Sequence, residues 1–219
     1  MPNTLTSIDV ICEIVARNSE ISALKFVTYM SGDLAAADEL EGPTYTRLRR
    51  KKDQEASLVP RARLNRASLA QLCHVLHPHH RMAVASSVRT TENEKKFIPM
   101  LDFACSKTEG HLRLIVSVIA ELNHELGYGG FGFVLESTKS YHYFGCSLLP
   151  AESYSTFLGL ALLLHPPVHL HSLANNTGLF SVIDARTIGH CLLNGESAIR
   201  ISSDQEGRTA TVVARIGPH

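Results

Sequence analysis

The chain carries no net charge. Its 21 basic residues balance 21 acidic ones over 219 positions. The protein as a whole therefore does not attract nucleic acid through its overall field, and any such contact must come from local clustering. It also lacks a long apolar run. The longest, Phe157 to Leu164, falls short of the roughly 20 residues that span a bilayer, so no membrane segment is expected. Cysteine is sparse and scattered. The five, at positions 12, 73, 105, 146 and 191, sit mostly in apolar runs, unlike the even, dense framework of a disulfide-stapled secreted domain. No N-terminal stretch joins a charged start, an apolar core and a small-residue cleavage site. A soluble, cytoplasmic protein is the expectation. Internal repeats, heptads and low-complexity tracts are absent as well.

What is present is a core-forming composition, 44% hydrophobic, arranged as strands interleaved with helices. Residues 7 to 17 carry Ile8, Ile11, Cys12, Ile14 and Val15 at helical spacing behind Thr6 and Ser7, and a short strand, Leu24 to Tyr29, follows. Residues 31 to 66 turn charged and lose apolar periodicity, with Gly42-Pro43 as a break, and read as a loop or inserted arm. Ser68 to Leu76 reads as a helix capped by Asn65 or Ser68, ended by His77-Pro78. Strands are expected over Met82 to Val88 and Phe97 to Phe103. The clearest helix is Glu109 to Leu126, with one apolar stripe and Gly127 just past its end.

Strands Phe131 to Glu136 and Tyr141 to Leu148 flank a polar turn, and Ala151 to Leu164 is a second helix ended by Pro166-Pro167. Asp184 to Leu193 reads as helical, with Gly195 after it. Ala198 to Ser202 and Thr209 to Ile216 read as two strands joined in a hairpin through 204–207. The pattern predicts an α+β fold built on a mainly antiparallel sheet with packed helices. It divides into an N-terminal α/β part, 1–80, and a core, 81–219, that together form one compact unit.

Three places hold residues suited to chemistry. The turn Ser137-Thr138-Lys139-Ser140-Tyr141-His142 brings a lysine, a serine and a histidine to one hairpin, a good place to hold a phosphate. Asp102 and Asp184 each sit in apolar surroundings, where a carboxylate is costly to desolvate without a cation or donors. Each has a plain reading too. Asp184 can be the cap of the next helix, His142 a cross-strand partner, and Lys139 a solvated turn residue.

This order of features resembles the catalytic core of the archaeo-eukaryotic primase superfamily, over roughly residues 82 to 204. That family's pattern is an Asp-x-Asp pair on a strand, a Ser-x-His hairpin, and a later aspartate after an apolar residue. Carried across, the first motif falls on Asp102, the second on Ser140 and His142, and the third on Asp184. The resemblance implies an RRM-like primase core. It further implies Asp102, Asp184 and His142 as catalytic residues, with Mg²⁺ or Mn²⁺ on Asp102 and Asp184. Lys139, Ser140, Arg200 and His190 would face nucleotide phosphates. Alternate strand residues point the same way, ~7 Å apart, so a full Asp-x-Asp pair can serve two cations. Position 104 is alanine, which leaves a single-metal site, with Glu136 as the candidate replacement acid.

Arg200 stands in the apolar strand Ala198-Ile199-Arg200-Ile201 and needs an anion, either a substrate phosphate or a plain ion-pair partner. Eight basic residues crowd between Arg47 and Arg66. Of these, Arg47, Arg49, Arg50, Lys51 and Lys52 are candidates for a nucleic-acid backbone, or else a solvated loop. Cys73, His74, His77, His79 and His80, and His165, His169 and His171, are dense but match no paired-ligand signature, so zinc is not expected. The leading expectation is a divergent primase-like domain that binds a nucleoside triphosphate and single-stranded nucleic acid, with metal-dependent nucleotidyl transfer as its chemistry. The alternative is an inactive nucleic-acid-binding or scaffold subunit of a larger complex. No helicase motif and no Gly-x-x-x-x-Gly-Lys-Ser/Thr loop occurs, so unwinding would fall to a partner protein such as a helicase.

Overall fold

The computed structural model describes residues 4–30, 55–77, 79–128, 130–163, 182–203 and 207–217. In chain order these form α1 (Ser7–Arg17), β1 (Ile21–Met30), β2 (Glu55–Pro60), a 3-10 turn (Arg61–Arg63) and α2 (Arg66–His74). Next come β3 (His80–Thr90), β4 (Lys95–Phe97), β5 (Met100–Asp102), α3 (Glu109–Glu125), β6 (Gly132–Glu136), β7 (Tyr141–Gly145) and β8 (Leu149–Pro150). The chain closes with α4 (Ala151–Leu163), α5 (Ala185–Asn194), β9 (Ala198–Arg200) and β10 (Thr211–Ile216). The fold is α+β with antiparallel sheets, and among the described residues no helix is long and apolar enough to cross a membrane.

Local chemistry starts each helix that positions the site. The Asp9 carboxylate accepts from the backbone N–H and hydroxyl of Thr6, both at 2.8 Å, satisfying donors at the start of α1. Arg61 closes the other end, donating to the carbonyls of Val15 (2.8 Å), Asn18 (2.7 Å) and Ile21 (3.2 Å). Thr108 caps α3 by accepting from the His111 N–H at 3.2 Å. Gly127 follows with φ 64°, the left-handed geometry that ends a helix at no side-chain cost.

Two sheets share the strands. The larger runs β2-β1-β3-β4-β8, with β9 also paired to β3, and the smaller runs β10-β6-β7-β5. Strand alternation gives the smaller sheet two distinct faces. On one, Met100, Phe133, Leu135 and Phe144 pack with α1, β1 and β3 in a first core. On the other, Leu101, Val134, Tyr141 and Tyr143 pack with Ile115, Ile119 and Leu122 of α3 in a second. Each such fully buried apolar side chain contributes about 1.5–3 kcal/mol through its removal from water.

The single strand expected over Phe97 to Phe103 is two. Ile98 still donates to Ser86 of the larger sheet (2.8 Å), while the Pro99 carbonyl accepts from Gly145 of the smaller one (2.8 Å). Proline has no N–H and a fixed φ, so the ladder breaks there and the chain changes sheets. The expected hairpin of the last two strands is also corrected, because β9 pairs β3 while β10 pairs β6. Within the segment expected as an arm, Glu55–Pro60 is instead a strand paired along β1. Residues 31–54 of that arm lie outside the described residues, and its end is the 3-10 turn Arg61–Arg63 and the start of α2.

Candidate active site

Asp102 ends β5, where the register sets it opposite His142 of β7, and His142 in turn opposite Leu135 of β6. Beyond β5 the chain segment 182–184 adds on as a further edge. Phe103 bridges Ile183, Ala104 donates to the Val182 carbonyl (3.0 Å), and Asp184 donates its N–H to the Asp102 carbonyl (3.2 Å). That antiparallel register places Asp184 directly across from Asp102. Residues so opposed share a face, with Cβ atoms about 4.5–5.5 Å apart. Asp184, Asp102 and His142 therefore form one row across the sheet, on the face of Met100 and Phe144. The His142 Nε2 lies 3.4 Å from the Asp102 Oδ1.

The row is electrostatically tense. Burial, and next the neighbouring Asp184 carboxylate, push the Asp102 carboxyl up to about 6, against the pull of the Phe103 N–H and the Arg200 guanidinium. Burial and the same Arg200 push the His142 imidazole down to about 4. At neutral pH the imidazole is thus uncharged beside a carboxylate that is ionised at some cost. Its Nδ1 is buried and has no hydrogen-bond partner among the described residues. Asp184 also caps α5. Its Oδ1 accepts from the N–H groups of Arg186 (3.0 Å) and Thr187 (3.1 Å), and its Oδ2 from the Thr187 hydroxyl (2.9 Å). The cap and the row are the same side chain; its Oδ1 accepts two hydrogen bonds, and its Oδ2, with one, keeps a second lone pair for a cation.

Arg200 sits on β9 opposite Ala83 of β3, close enough for its charge to act on Asp102 and His142. Two residues not expected from the sequence join it. Tyr29, at the end of β1, has its hydroxyl pushed up mainly by burial, with Arg200 and Arg81 pulling the other way and Asp102 adding to the rise. Arg81, paired with Tyr29, is only 8% exposed. Its signal was in plain view: His80-Arg81-Met82-Ala83-Val84 is a guanidinium in an apolar run, the pattern that singles out Arg200.

The hairpin is fastened to itself. Ser137 donates its N–H to the Ser140 carbonyl (2.8 Å) and its hydroxyl to the same oxygen (3.0 Å), while the Ser140 N–H donates back to the Ser137 hydroxyl (3.2 Å). Ser140 precedes His142 by one strand period, and Lys139 is exposed at the tip. Glu136 does not join the row. It lies opposite Tyr141, on the α3 side of the sheet, and pairs with Lys107 at 3.2 Å. His190 is half-buried on α5, a helix whose buried side is formed by Ile188 and Cys191. Of the basic cluster, Arg47, Arg49, Arg50, Lys51 and Lys52 lie outside the described residues, Arg61 binds backbone carbonyls, and Arg66 pairs with Asp9 at 3.3 Å.

Among the described residues no three His, Cys, Asp or Glu side chains gather to hold a metal ion. The donor set at the row is two adjacent carboxylates, which suits one hard divalent cation completed by substrate oxygens and water. A cation there would relieve the repulsion that raises Asp102. With such a cation in place, its charge and that of Arg200, which acts on both Asp102 and His142, would be available to anionic oxygens beside a neutral imidazole. No curated protein and no solved structure matches the chain. Residues 61–213, well over half of it, match the family model described as AEP-like, archaeo-eukaryotic primase 1D-like. The chain belongs to the archaeo-eukaryotic primase-like family.

Proposed function

We propose that the row of Asp184, Asp102 and His142 binds a nucleoside triphosphate and the end of a nucleic-acid strand, and serves nucleotidyl transfer. The observation that carries this is the register that puts both acids and the imidazole on one face. In this reading Asp102 and Asp184 hold one Mg²⁺ or Mn²⁺, which when bound supplies charge neutralisation at the triphosphate. Arg200 adds fixed positive charge on a strand, and Ser140 and Lys139 stand at the hairpin where the outer phosphates would extend. His142, neutral at pH 7, offers Nε2 and Nδ1 as donor and acceptor rather than as a charge. The bond formed joins a strand's 3′ oxygen to the α-phosphorus, and the bond broken releases pyrophosphate.

A second reading is favoured by Ala104. With no second acid on β5, the domain would bind strand and nucleotide without joining them, as a module of a larger assembly. One experiment separates the two. The full chain is incubated with labelled nucleoside triphosphates, Mn²⁺ and a single-stranded template, beside Asp102→Ala. Extended product that disappears in the variant supports transfer. Strand binding without product in either protein supports the module, and strand shortening would contradict both.

A further inference from the structure

Tyr29 lies near the end of β1, and the register of the larger sheet decides what it can reach. Antiparallel pairing sets Tyr29 opposite Arg81 and Val27 opposite Ala83, with no shift between the two pairs. On its other side Ala83 faces Arg200 of β9. Directly opposed residues share a face and alternate residues return to it, so Tyr29, Val27, Ala83 and Arg200 stand on one face of the sheet. Met82, Val84 and Ile199 take the other, in the first core. Two strand spacings, about 10 Å, separate β1 from β9. Ala83 between them carries only a methyl group, which leaves room for a phenol from one side and a guanidinium from the other.

Electrostatics agrees with that geometry. After burial, Arg200 is the largest influence on the Tyr29 hydroxyl, followed by Arg81 and then by Asp102 of the carboxylate row. The same Arg200 acts on Asp102 and His142. These groups are near one another without touching. Among the described residues Arg200 forms no ion pair, Asp102 is paired with His142 instead, and the Tyr29 hydroxyl makes no hydrogen bond to Arg200 or Asp102. A half-buried guanidinium on an otherwise apolar strand selects an anionic oxygen, and a phenol hydroxyl beside it is a donor without charge. We propose that the Tyr29 hydroxyl donates a hydrogen bond to the same phosphate group of the bound nucleotide that Arg200 neutralises. Tyr29 is then a substrate-binding residue on the larger sheet, facing the acids contributed by β5 and the start of α5.

This role rests on nucleotide binding at the row, and one set of titrations tells the two failures apart. Binding of adenosine 5′-triphosphate and of inorganic tripolyphosphate, each with Mn²⁺, is measured by calorimetry for wild type, Asp102→Asn, Tyr29→Phe, Arg200→Gln and the double variant Tyr29→Phe/Arg200→Gln. Tyr29→Phe removes one oxygen and keeps the ring, so circular dichroism stays native. It weakens both ligands by about tenfold, as for a hydrogen bond to a charged group. In the Arg200→Gln background its effect shrinks to about threefold or less, because two groups on one phosphate are coupled. Tyr128→Phe, packed against the second core, leaves both affinities within about twofold. Affinity unmoved in Tyr29→Phe, nucleotide weakened with tripolyphosphate unmoved, or an undiminished effect in the double variant overturns the Tyr29 contact and leaves the reading of the row standing. Wild-type binding that is absent, or that survives Asp102→Asn, overturns the reading of the row and the Tyr29 contact with it.

Discussion

The two faces of the smaller sheet are made by the same strands and differ by one residue of phase. Toward α3, the row Leu101, Tyr143 and Val134 is apolar and closed. Toward the larger sheet, Met100, Phe144 and Phe133 are equally buried, but the next row along that face is Asp184, Asp102 and His142. A site of this kind arises where a core face reaches its rim. The packing that fixes the backbone of Asp102 and His142 is the apolar row beside them, and the cost of burying the polar row appears as the raised Asp102 and lowered His142. One face is apolar throughout, and the other gives up some stability where the two acids and the imidazole stand together.

Substitutions that strike one face and spare the other sharpen this contrast. The largest effect is expected from Asp102→Ala, which should lower labelled-nucleotide incorporation by at least about 100-fold, as the loss of a group aimed at developing charge does, while circular dichroism stays native. Next is Phe103→Ala, on the closed face at 1% exposure, which should cost about 3–5 kcal/mol in urea unfolding. A loss below about 1 kcal/mol would show that this face does not hold the sheet.

Asp102→Asn is the intermediate case, and its sign is opposite. A carboxyl raised from 3.8 to about 6 in the fold lends stability that is fully present below pH 3.8 and lost as the pH rises through about 6. His142, lowered from 6.5 to about 4, contributes stability present above pH 6.5 and lost as the pH falls toward 4. The two trends oppose each other between those values, so the variant is compared with wild type at each pH. In metal-free buffer Asp102→Asn should melt close to wild type at pH 4 and a few degrees above it at pH 7.5. A lower melting point at pH 7.5 would mean that Asp102 is not under strain. The smallest effect is expected from Glu136→Gln, on the α3 face. It should leave Mn²⁺ affinity within about twofold and, as a half-exposed ion pair, change stability by no more than about 1 kcal/mol.

Much of this was legible along the chain because it is local. The stripe of α3 with Gly127 behind it, the alternation of β6 and β7, and the lone acids at 102 and 184 need no distant partner to be recognised. What failed to read was long-range. β9 and β10 have the spacing of a hairpin, yet β9 pairs β3 and β10 pairs β6, strands distant in sequence. β2 lacks strong alternation and is a strand only because β1 offers it an edge. Arg61 belongs to the basic stretch between Arg47 and Arg66, and in the fold its fork is spent on three backbone carbonyls at the end of α1. Tyr29 joins the site through the charges of Arg200, Arg81 and Asp102 that act on its hydroxyl, none of them near it in sequence.

The most direct test of the carboxylate row is a Mn²⁺ titration followed by electron paramagnetic resonance in the presence of a nucleoside triphosphate, with wild type, Asp102→Asn and Asp184→Asn side by side. The account predicts one bound ion per wild-type chain, with affinity falling as the pH drops through about 6, and loss of that ion in both variants. Binding that survives in either variant would contradict the claim that the two acids act together.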